Sequence, residues 1–182
     1  MANATLGVDD FKAKLIGGGA RPNLFRVTMG FPLYARGNPE QCSFMIKGAA
    51  LPASTVAAIE VSFRGRKLKI AGDRTFANWT ITIINDTKMD IRNSFERWMN
   101  GMNSHGTNTG LTNPAQYQAD LMIEQLDKGN NITKSYVLRS AFPILVSEIA
   151  LNYDTNDSIE EFTVELAYQY WDSDSTTRSF VF

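Results

Sequence analysis

The stretch KIAGDRTF (residues 69–76) sets Asp73 and Arg74 beside Gly72, which is the composition of a tight charged turn over Ala71–Arg74. Gly72 is expected there in a backbone conformation closed to bulkier residues. A charged turn is a natural place to look for phosphate binding or acid–base chemistry, but nothing beside the pair completes either one. Nucleophilic catalysis needs a base and an orienting partner, and no Ser or Cys here carries a local motif that supplies them. The one histidine, His105, falls in a Gly/Asn-rich stretch where a surface position is expected. Cys42 alternates with Phe44 and Ile46, the pattern of a small buried hydrophobe rather than an activated thiol. As the only cysteine it excludes an intrachain disulfide and a multi-cysteine metal site. DTNDSIEE (154–161) gathers acidic residues without the Gly pivot or ligand spacing of a calcium loop. Gly17-Gly18-Gly19 lacks the Lys-Ser/Thr that follows the glycines of a phosphate loop. The expectation is a protein without catalytic residues, metal or cofactor.

One cluster points to a contact surface instead. Arg64, Arg66, Lys67 and Lys69 place four positive charges within six residues. Phosphates would suit them, but no aromatic residues interleave and the formal net charge is −1, so a protein-contact patch is the better reading. From Glu148 to Asp174 the chain carries eight acidic residues and no Lys or Arg, so it is near neutral in total but polarised along its length.

The elements that position these residues read mainly as β. The 182 residues, 43% hydrophobic and 20% charged, fit one domain spanning 1–182 with a real core. Trp79, Ile81 and Ile83 share one strand face, and Phe162, Val164, Leu166, Tyr168 and Tyr170 alternate with polar partners. Weaker alternation runs through 24–29, 42–47, 59–63, 67–71, 121–126, 132–140 and 149–153, giving roughly eight strands in an antiparallel sandwich or barrel. One helix is predicted over about 88–102, with Ile91, Phe95, Trp98 and Met102 as its apolar stripe. Thr87 is its expected cap, with Asp90 in a box-like position, and Arg92 and Glu96 can pair on its wet side. A shorter helix is expected over Val8–Ile16, with Phe11 and Leu15 inward and the three glycines as its stop. Residues 100–116 read as a polar loop, and 48–58 as an apolar one that needs a cover. Residues 159–171 read as one long strand, whose edge would need a partner along its whole length. That favours self-association. No secretory start and no bilayer-length apolar run are visible, so folding in a cytoplasm is expected.

ARPNLFRV (20–27), the Leu51-Pro52 pair, RKLKIAGDRTFANWTITIIND (66–86), FERW (95–98) and EEFTVELAYQYWD (160–172) together resemble the tail tube proteins of T4-like contractile-tailed bacteriophages. The similarity runs in order from about Val8 to Asp172. It implies a β-sandwich subunit with a packed helix, forming hexameric rings whose sheets join in a continuous inner barrel. Stacked rings would make a hollow tube inside a contractile sheath, filled first by a tape measure protein and later conducting double-stranded DNA into the host. Further partners implied are baseplate tube-initiator proteins and a tail terminator, with assembly in the host cytoplasm, a place in the virion tail and no membrane insertion. On the same footing, an extended hairpin within 48–76 would reach a neighbouring subunit. Its expected contacts are Leu51, Pro52, Ala53, Arg64, Arg66, Lys67, Gly72, Asp73, Arg74 and Phe76, with acidic positions of 154–161 as charge partners. Thr80, Thr82, Thr163, Glu165 and Gln169 are expected to face the lumen. The tube of a type VI secretion system or R-type bacteriocin is an alternative, and a monomeric ligand-binding β-barrel a more remote one.

Overall fold

The computed structural model describes residues 7–176. Its β-strands are β1 (Phe25–Thr28), β2 (Ile46–Ala49), β3 (Ser54–Phe63), β4 (Arg66–Phe76), β5 (Trp79–Ile84), β6 (Ala119–Leu126), β7 (Ile132–Val146), β8 (Glu161–Ala167) and β9 (Tyr170–Ser173). The α-helices are α1 (Val8–Lys14), α2 (Pro39–Met45), α3 (Asp90–Met102) and α4 (Pro114–Tyr117). Seven strands form one antiparallel sheet in the order β1-β6-β7-β8-β5-β2, with β9 added against β7. The path does not close on itself. Among the described residues, β3 and β4 pair only with each other.

The sheet folds into two layers because β7 changes partners about two-thirds of the way along its 15 residues. Residues 132–141 pair with β6, and 136–139 also with β9, while 142–146 pair with β8. The change falls at a bulge, where Asp120 stands opposite both Arg139 and Ser140, and Ser140 takes φ 55°. Asp120 fixes the corner by accepting from the Ser140 backbone N–H at 2.9 Å and from Arg139 Nη1 at 2.7 Å. Arg139 Nε also donates to Asp172 of β9 at 3.1 Å.

The strongest period-two segments, in β5 and β8, bury one face each, as expected. Trp79, Ile81 and Ile83 of β5 and Phe162, Val164 and Leu166 of β8 meet Val27, Leu121, Ile123 and Leu138 from the other layer. Helix α3 adds Ile91, Phe95 and Trp98 to the same core, with the last two fully buried. The Trp98 indole N–H donates to the Tyr117 carbonyl at 2.6 Å. Arg92 and Glu96 pair at 3.0 Å as predicted. The cap is different: Met89 is the capping residue, in a left-handed conformation, and the Asp86 carboxylate, not Thr87, accepts from the N–H groups of Asp90 and Ile91.

Other departures have local causes. The strand expected over 42–47 is largely helix α2, because Pro39 occupies its first position and the Asn38 side chain caps the Glu40 and Gln41 N–H groups. Cys42 is buried and Phe44 is exposed, so the two do not share a face. The strand expected over 149–153 is absent, and Leu151 and Tyr153 lie on the surface. The expected long strand over 159–171 is two strands: β8 ends at Ala167, and the Gln169 N–H donates to the Arg139 carbonyl as the chain crosses to the other part of β7. β8 sits between β5 and β7 and has no free edge. Helix α1 forms but ends at Lys14 with Leu15 as its cap, ahead of the glycines, which each take φ near +78°; Phe11 and Leu15 are exposed rather than inward. The 100–116 loop is shorter than expected, since α3 reaches Met102 and α4 begins at Pro114. Backbone bonds such as Ser104 N–H to Thr109 O also hold it.

Candidate self-assembly surface

β3 and β4 are ten and eleven residues long, so their ladder extends roughly 33 Å. Nearly every residue of it is exposed. Its turn is Arg64-Gly65, both with positive φ (46° and 81°), the geometry that matches strand twist in a two-residue hairpin loop. The chain therefore does not turn at 71–74 as expected. β4 runs straight through that stretch, and Gly72 has no positive φ. Instead Ala57 faces both Gly72 and Asp73, a bulge between the Val56–Arg74 and Ala58–Ala71 pairs. A side chain at Gly72 would come within 3.0 Å of the Ile59 side chain and 3.1 Å of the Ala57 carbonyl, so the glycine permits close approach rather than a special conformation.

The register gives this arm two unlike faces. Ile59 opposes Ile70, Val61 opposes Leu68, and Phe63 opposes Arg66 on one face. Glu60 opposes Lys69 and Ser62 opposes Lys67 on the other. The five large apolar side chains of the first face remain exposed, Phe63 at 66%. On the second, Glu60 binds Lys67 at 2.7 Å and Lys69 at 3.8 Å. Part of the basic cluster is thus neutralised within the arm. Among the described residues no ion pair reaches Arg64, Arg66 or Arg74, and Arg64 lies over the Phe63 ring at 5.3 Å.

The predicted contact residues fall into four places along this arm. Leu51, Pro52 and Ala53 form the elbow by which the chain enters it, and Phe76 its root, packed near Tyr168 and Trp171. Arg64, Arg66 and Lys67 are at the tip, and Gly72, Asp73 and Arg74 at the bulge. Sequence reasoning missed Val56, Ile59, Val61 and Phe63 as surface residues. The signal available was the Arg64-Gly65 step between two alternating runs, which marks a hairpin whose register follows directly.

The other expected surface is brought together by β5 and β8. Thr80 pairs with Glu165 and Thr82 with Thr163, all four on the face opposite the core. Gln169 is exposed but lies beyond β8, apart from this array. Asn78 donates to Glu165 at 2.8 Å, and Lys47 of β2 pairs with Glu161 at 2.5 Å. Leu145 stands opposite Glu165 on the β7 side, so the face is polar with one apolar flank.

Reactive groups do not converge. Burial pushes the Cys42 thiol up to about 12, which removes its thiolate at neutral pH. Among the described residues, no group of three or more His, Cys, Asp or Glu side chains could hold a metal ion. A cleft of about 630 Å³ formed by Gly17, Gly19, Arg21, Leu24, Lys128 and neighbours is open and holds no nucleophile–base pair.

The phage tail tube protein family matches residues 20–174. The chain is 35% identical over 154 residues to the tail tube protein gp19 of Enterobacteria phage T4, covering 84% of this chain and 91% of the relative. It is 31% identical over 165 residues to the tail tube protein of Serratia phage KSP90, covering 88% and 93%. Among solved structures, a chain of the anti-feeding prophage baseplate superposes with a TM-score of 0.62 at 16% identity, over 85% of this chain and 95% of that one; this likeness concerns the fold. With matches of this length to the family and its curated members, the chain belongs to the phage tail tube protein family.

Proposed function

We propose that this tail tube protein forms hexameric rings that stack through the β3–β4 arm into the hollow tube conducting double-stranded DNA. The observation that carries the reading is the arm itself. A two-stranded ladder with one exposed apolar face is marginal in water, and burial against a second copy supplies the missing layer. The remaining charges suit the same docking. Arg64, Arg66 and Arg74 lack an ion pair among the described residues, as do Asp154 and Asp157. A neighbour's acidic loop against the arm pairs them, setting register more than affinity.

The Thr80–Thr163 face is the proposed lumen lining, with the short edge strand β2 offering unpaired backbone groups that continue the sheet into the next subunit and close an inner barrel. A polar face with few cations suits a DNA conduit, because each retained phosphate contact would slow transit. The sheath, tape measure, baseplate initiators and tail terminator are the further proposed partners, with assembly in the host cytoplasm and no catalytic step. No helix of the described residues is long and apolar enough to cross a membrane. The space between the layers is filled by Phe95, Trp98 and Phe162, which speaks against a ligand-carrying barrel.

Replacing Val61 and Phe63 by Asp tests the arm. The expected result is a folded subunit by circular dichroism that sediments as small species where the wild type forms tubes. Wild-type tubes from this variant would remove the arm from the interface. Lys at Thr80, Thr82 and Thr163 tests the lumen: intact tubes with impaired DNA ejection are expected, and full infectivity would place the lumen elsewhere.

A further inference from the structure

We propose that Trp79 and Trp171 are positioning residues for assembly: their indole N–H groups clamp the elbow by which the arm leaves the body and so preset its docking direction. The inference rests on reading the arm as the docking element. Trp79 Nε1 donates to the Ala50 carbonyl at 2.6 Å, and Trp171 Nε1 to the Ala53 carbonyl at 3.3 Å. These two carbonyls flank Leu51-Pro52, a connection between β2 and β3 with no ladder partner of its own. Pro52 brings no N–H, so side chains must satisfy and fix this backbone.

Both indoles are themselves held. Trp79 is in the core at the start of β5, just after the arm returns. Trp171 of β9 packs edge-on against Tyr136 of β7 at 5.3 Å and against Phe76, the last arm residue, at 6.4 Å. Phe76 also packs against Tyr168 at 6.0 Å, and Asn78 on the return leg binds Glu165. Entry and exit are thus tied to β5, β7, β8 and β9, while the large apolar side chains farther out, Ile59 to Ile70, stay exposed. The lever is long. A swing of about 10° at the root moves a tip roughly 33 Å away by about 6 Å, more than one inter-strand spacing.

Trp171→Phe keeps a smaller aromatic ring against Tyr136 and Phe76 and removes the donor. Amide hydrogen exchange on the unassembled full-length subunit should show residues 54–56 and 74–76 better protected than 60–68. The variant should lose root protection by about fivefold, the worth of one such hydrogen bond, and need a similarly higher concentration to form tubes. Its melting temperature should stay near that of the wild type. In the wild type alone, the Trp171 indole N–H should exchange more slowly than a free indole. Free-rate indole exchange, or wild-type root protection in the variant, overturns the clamp. Lost root protection with unchanged tube formation overturns its role in positioning yet leaves docking intact. Wild-type tubes in which the arm touches no neighbour overturn the docking reading beneath it.

Discussion

Asp120 uses one carboxylate to hold the corner of the fold, accepting from the Ser140 N–H with one oxygen and from Arg139 with the other. Burial alone would raise its pKa, but the Ser140 bond and then the Arg139 bond and charge outweigh that and hold it below the usual carboxylate range. Asp127 is likewise lowered by bonds from Asn131, and Asp174 by bonds from Ser135. A carboxyl held low in the folded state contributes stability above its unfolded value of about 3.9, and loses it as pH falls through the folded value. The subunit's melting temperature is therefore expected to be flat near neutrality and to fall below about pH 4. Asp120→Asn should flatten that acid slope; an unchanged slope in calorimetry would mean that this corner contributes little. Cys42, buried with its thiol pushed up, should resist alkylation until the chain unfolds. Rapid labelling of the native subunit would contradict the packing of α2.

Helix α3 is the element whose loss the core can least absorb, because Phe95 and Trp98 stack at 6.1 Å and both meet Phe31 edge-on. Trp98→Ala should cost about 3–5 kcal/mol, measurable by denaturant unfolding, since it opens a large void and strands the Tyr117 carbonyl. A change under about 1 kcal/mol would show a looser core. This helix, β5 and β8 were legible in the sequence because their periodicities of 3.6 and 2 record burial directly. The arm was legible only in part. Its strands are unpacked, so alternation between Lys67, Leu68, Lys69 and Ile70 says which residues share a face but not that the face is bare. The Gly72 turn was misread because composition cannot separate a turn from a bulge. The break at Tyr168–Gln169 was invisible because both strands it joins continue the same alternation, and only the partner change at Ser140 divides them. Of the expected lumen residues, the four inside β5 and β8 come together, and the one beyond the break does not.

At the scale of the whole molecule, a closed core coexists with a long amphipathic projection whose apolar face is exposed among the described residues. In the proposed docking one copy's arm meets a different surface of the next, a heterologous contact that propagates rather than stopping at a dimer. The salt response should report its polar part. Reversing the charges of Arg64, Arg66 and Arg74 should weaken tube formation at low salt and blunt its dependence on ionic strength, because rim pairs are screened beyond roughly 10 Å at 0.1 M. Light scattering across a salt series measures this, and an unaltered series would remove these arginines from the interface. Cryo-electron microscopy of the purified, assembled protein tests the central claim most directly. The expected result is stacked rings of uniform bore, with the apolar face of each arm, Ile59 to Ile70, seated on another copy and Thr80, Thr82 and Thr163 toward the lumen. A stable monomer at high concentration, or a tube in which the arms stand free in solvent, would contradict it.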